Sequence, residues 1–85
     1  MDKGKIIAVF NIVQQAKSLM IETINEAIKD NGGEIKWYEK NGEERFIKPN
    51  ENGNIAMFDD FYNELVLIED LSIDELYDIC KTFLI

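Results

Sequence analysis

Residues 5–30 hold the longest run of helical apolar spacing in the chain, and a chain with such a rod must organise everything else around it. One apolar line passes through Ile6, Phe10, Val13, Met20, Ile24, Ala27 and Ile28, with Lys17 as a gap; a second passes through Val9, Ile12, Ala16 and Leu19. Together they make a stripe broader than one sheet face needs. Asp2 supplies a cap ahead of the run, and Asn31-Gly32-Gly33 supplies a stop, because glycine accepts the left-handed backbone that ends helices. At 1.5 Å per residue the segment is ~40 Å long. A compact domain of 85 residues is only about 30 Å across. The rod therefore either projects and pairs with another copy, or divides, with Lys5–Phe10 a strand and Asn11 opening a shorter helix through an Asn-x-x-Gln box with Gln14. A single long helix is expected.

Past the glycines the chain reads as short strands and tight turns. Glu34–Lys40 and Glu43–Lys48 flank Asn41-Gly42, a hairpin signal. A two-residue turn there pairs Trp37 with Phe46 on a core face and Tyr38 with Arg45 on a solvent face. Pro49 has no donor for the ladder, so it ends this strand or lies at its open edge. Asn52-Gly53 leads into a third strand, Asn54–Phe58, and Asp59–Asn63 reads as a turn. Leu65–Ile68 is a continuous apolar run suited to a strand buried on both faces.

The last element has the fullest signature. Ser72 and Glu75 form a capping box, and Leu71 and Leu76 take the two positions of a hydrophobic staple. Asp74 and Glu75 fall where the amino end of a helix favours negative charge. Ile73, Leu76, Tyr77, Cys80, Phe83 and Leu84 then share an apolar face. The expected architecture is one α+β domain over residues 1–85: a long N-terminal helix, a three- to four-stranded antiparallel meander and a short C-terminal helix.

Composition narrows the chemistry. With one cysteine, Cys80, and no histidine, an internal disulfide is ruled out and structural zinc nearly so, since zinc sites draw on several Cys and His ligands. No other cofactor is expected. The chain has no histidine to activate a nucleophile, no Gly-x-Ser-x-Gly and no phosphate-cradling glycine loop, so it is not expected to be an enzyme. Cys80, on the apolar face of the last helix, reads as a small buried hydrophobe. Asn50-x-Asn52-Gly53 echoes a calcium loop, but Lys48 stands where the first acidic ligand belongs. Asp59, Asp60 and Glu64 read as a solvated acidic turn.

The net charge of −8 is unevenly spread. Residues 1–42 carry six acids and six lysines, so residues 43–85 carry the whole excess, eleven acids against Arg45, Lys48 and Lys81. Nucleic-acid backbones and anionic lipid both select clustered Lys and Arg, so neither is an expected partner. Trp37, Tyr38, Phe46, Phe58, Phe61 and Tyr62 lack the basic groove of a base-stacking platform. Lys3 and Lys5 ahead of Ile6–Val13 faintly resemble a signal peptide, but Asn11 breaks the run and residues 14–17 make a poor cleavage region. No stretch approaches the ~18–20 uninterrupted apolar residues of a membrane span, and the chain is read as cytoplasmic.

The expected function is thus a non-catalytic protein–protein interaction module, a homodimer through the N-terminal helix with Phe10, Val13 and Met20 in the contact. Phe61 and Tyr62, adjacent aromatics beside Asp59 and Asp60, form a second candidate contact. The alternative is an acidic decoy that occupies a basic, nucleic-acid-binding site on a partner protein. It requires Asp59, Asp60, Glu69, Asp70, Asp74 and Asp78 to form one face.

Overall fold

The computed structural model describes residues 2–83. Helix α1 runs unbroken over Lys3–Asp30, about 42 Å at 1.5 Å per residue. Its start is fixed by Asp2, whose Oδ1 accepts the Gly4 N–H at 2.8 Å. Its end is a Schellman closure: Gly32 takes φ +83°, the Gly33 N–H donates to the Ile28 carbonyl at 2.8 Å, and the Gly32 N–H donates to Lys29. Asn11 does not interrupt the helix, so the alternative of a strand plus a shorter helix is set aside.

Four antiparallel strands follow, β1 (Ile35–Tyr38), β2 (Glu44–Pro49), β3 (Ile55–Phe58) and β4 (Glu64–Leu67), in the spatial order of the sequence. A 3₁₀ turn over Ile68–Asp70 leads to helix α2, Ile73–Phe83. The capping box forms as expected: the Glu75 N–H donates to Ser72 Oγ, and Ser72 Oγ and N–H both donate to Glu75 Oε1. Leu71 and Leu76 are both buried, completing the staple.

The three strand connections share one geometry. In each five-residue turn the first N–H donates to the fifth carbonyl and the fourth N–H donates back to the first carbonyl, over Glu39–Glu43, Asn50–Asn54 and Asp59–Asn63. The fourth residue is left-handed: Gly42 at φ +86°, Gly53 at +83° and Tyr62 at +62°. This is a type I turn closed by a left-handed residue, one residue longer than the two-residue turn expected at Asn41-Gly42. The extra residue shifts the register by one. Trp37 lies opposite Arg45, Tyr38 opposite Glu44, and Lys36 opposite Phe46.

That shift sorts the side chains between two faces. On the helix-covered face, Ile35, Ile47, Met57 and Val66 form one row across all four strands. They pack with Ile24 and Ile28 of α1 and with Leu76, Ile79 and Cys80 of α2, and Trp37 packs against this cluster. Phe46, expected beside Trp37 in the core, lies on the opposite face instead. There it stacks on Tyr62 with centroids 4.8 Å apart, and Lys36 and Lys48 cover the Phe46, Phe58 and Tyr62 rings at 5.0 to 5.6 Å.

Two further expectations are corrected. Leu65 is exposed, because β4 is an edge strand and not one buried on both faces. On α2 the buried residues are Leu76, Ile79 and Cys80, while Tyr77 points to solvent with the Lys81 ammonium over its ring. Leu84 lies outside the described residues.

Candidate interaction surface

The head of the molecule, residues 31–83 with the last turns of α1, covers only part of the long helix. Met20, Ile21 and Ala27 are the α1 residues packed against the edge of the core, and Ile24 and Ile28 lie inside it. Cys80 marks the border: its Sγ donates to the Met20 carbonyl at 3.4 Å, and burial raises its thiol pKa. Upstream of that contact Ala16 and Lys17 are half-buried, and from Lys3 to Gln15 the helix is bare. Ile6, Ile7, Val9, Phe10, Ile12 and Val13 are exposed, as is Leu19 at 63%. Elongation follows, with extents of 47 × 29 × 25 Å.

Of the three α1 residues expected in a contact, Phe10 at 59% and Val13 at 39% exposure are on this free surface. Met20 is half-buried against the core and belongs to the head. Ile6, Ile7, Val9, Ile12 and Leu19 are not among the expected contact residues. Their signal was present in the width of the stripe: a helix serving only its own core needs one apolar line, and the second line runs along its bare part.

The β3–β4 turn carries the second candidate set. Asp59 is its organiser, with Oδ1 accepting the Phe61 and Asn63 N–H groups, each at 2.9 Å. The Asn63 N–H bond is the main cause that holds its carboxyl below the ordinary range, with Phe61 and the nearby Arg45 charge adding to it. Phe61 projects into solvent at 80% exposure. Tyr62 turns the other way, over the second face of the sheet, where its hydroxyl meets Glu34 Oε2 at 3.4 Å. The adjacent aromatics therefore do not form one anchor. Arg45, only 13% exposed at its side chain, is held between Glu43 at 2.6 Å and Glu39 at 3.5 Å. The Glu43 bond is the chief cause that raises its pKa.

The carboxylates are divided by the fold. Asp59 and Asp60 sit in the turn before β4, whereas Glu69 and Asp70 lie in the 3₁₀ turn after it, at the strand's opposite end. Asp74 occupies the first turn of α2 and Asp78 lies one turn on, half-buried. A hollow beside β2 and the β3–β4 turn, about 700 Å³ in volume, is lined by Lys48, Asn50, Phe58, Tyr62 and Glu64. Its polar groups are engaged with one another, Asn50 Nδ2 donating to Glu64 Oε1 at 2.9 Å and Lys48 lying over the rings. Among the described residues no three Cys, Asp or Glu side chains converge as metal ligands would, and no helix is long and apolar enough to cross a membrane.

The chain matches no family model, no curated protein and no solved structure.

Proposed function

We propose that the protein is a non-catalytic protein–protein interaction module that self-associates as a homodimer through the free part of α1. The observation that carries this reading is the bare apolar run upstream of Met20, on a helix that extends past the head it helps to build. Seven exposed apolar side chains lie there, Ile6, Ile7, Val9, Phe10, Ile12, Val13 and Leu19. Of these, Ile6, Val9, Phe10 and Val13 share one side, and at on the order of 100 Å² each they offer roughly 400 Å² per copy, the scale of a small interface. Between Ile6 and Ala16 the helix has no charged residue, and Lys17 is the first charge that a second copy of the same surface would meet. The acidic-decoy reading needs six carboxylates on one face, and the fold sets Asp59 and Asp60 apart from Glu69, Asp70 and Asp74.

Sedimentation equilibrium of the full chain is the direct test. The expected result is a dimer mass at tens of micromolar, reduced to one chain by Phe10→Asp with Val13→Asp while far-UV circular dichroism stays helical. A wild-type chain that remains a monomer at high micromolar concentration, with α1 intact, would falsify the reading.

A further inference from the structure

We infer that the two copies dock antiparallel, each free end of α1 lying along the other, with the heads at opposite ends of the pair; this rests on the reading of α1 as a self-association surface. Ile6, Phe10, Val13, Met20, Ile24 and Ile28 follow one another at gaps of four, three, seven, four and four residues, so all six lie on one side of the helix. The head packs against that same side from Met20 onward. Packed helices sit only ~8–10 Å apart. The shorter extents of the molecule are 29 and 25 Å. A parallel, in-register pair would thus force two heads into one gap between the helices, over Met20 to Ile28. An antiparallel pair places each head beyond the amino end of the other helix, and the gap closes on Ile6, Phe10 and Val13 with the stem of Lys17.

Spacing and charge agree with this orientation. Ile6, Phe10, Val13 and Lys17 follow the 4-3-4 rhythm of a coiled-coil seam. Run antiparallel, Phe10 lies opposite the partner's Val13, and Ile6 opposite the partner's Lys17, whose long aliphatic stem can cover it. Run parallel, Lys17 meets its own copy, as does Lys3. The antiparallel order instead sets Lys3 opposite the partner's Met20, away from its own copy.

Disulfide trapping in the full chain tests the orientation. Ile6→Cys and Lys17→Cys are made separately in a Cys80→Ala background, mixed in equal amounts and equilibrated in a glutathione redox buffer. The mixed disulfide is expected to exceed the Ile6→Cys homodisulfide by roughly tenfold, because only opposed thiols share a high effective concentration. If Cys80→Ala unfolds the chain, the same pair is run with Cys80 in place, where the residue is 3% exposed. A dominant Ile6→Cys homodisulfide overturns the orientation, and so does a dimer by sedimentation that yields no mixed disulfide. A monomer by sedimentation overturns the self-association reading itself.

Discussion

Tyr62 is the residue on which the fold spends backbone strain. Its two counterparts, Gly42 and Gly53, hold the same left-handed position in turns with the same hydrogen bonds, and among the described residues Tyr62 is the only non-glycine with positive φ. The ring explains the choice: it lies over Phe46 and shields a sheet face that no helix covers. Tyr62→Phe keeps the stack and should melt close to wild type. Tyr62→Gly relaxes the backbone but bares Phe46, and Tyr62→Ala loses the ring while keeping the strain, so it should fall below the glycine variant by about 1 kcal/mol in urea titrations. The converse holds at the glycines. A Cβ at Gly42 or Gly53 meets nothing within 4 Å, so alanine there should cost only the backbone term, about 1 kcal/mol each. Asp59 adds a pH dependence with a definite sign. Its folded pKa lies below the usual 3.8, so its contribution is complete above that value and is lost as pH falls through the lower folded one. The Tm deficit of Asp59→Ala should therefore be constant near neutrality and shrink below about pH 3.8. A deficit that persists undiminished at pH 2.5 would contradict the role given to the carboxylate.

At the scale of elements, α2 shows local sequence and tertiary packing pointing the same way. Ser72→Ala removes the cap and should cost about 1 kcal/mol. Leu76, fully buried, should cost about 2–5 kcal/mol when cut to alanine. Both are measurable as shifts in the urea midpoint at unchanged slope. Helices were the legible part of this chain, since caps and period are local signals: Asp2, the Asn31-Gly32-Gly33 stop and the Ser72–Glu75 box all act where they were read. Strands were legible in number and order but not in register. Asn41-Gly42 suits both a two-residue turn and the last two positions of a longer loop, and only packing chooses between them. The longer loop lets Trp37 and Ile35 face the helices while Phe46 turns to Tyr62. Tyr77 and Ile79 show the same limit on α2, because the direction from which a short helix is covered is set by α1 and the sheet. The free apolar run was legible as excess length, whereas its border at Met20 was not. That border depends on where Cys80 lands, sixty residues away in the chain.

For the molecule as a whole, the border at Met20 separates two sets of residues with different duties. Side chains from Met20 onward hold one copy together, and those from Ile6 to Gln15 are left free for the proposed contact between copies. Phe10→Asp should therefore lower the mass in solution while leaving the unfolding of a dilute sample, in which copies are already apart, within about 0.5 kcal/mol of wild type. Ile24→Ala should do the reverse in stability, removing about 2–5 kcal/mol from a fully buried site. Because the residues ahead of Ala16 contribute nothing to the interior of the head, that part of the helix can be read as a fixed handle on an independently specified body. Changes to the handle can retune which chains find one another without passing through a broken fold, so specificity and foldability are free to drift at separate rates.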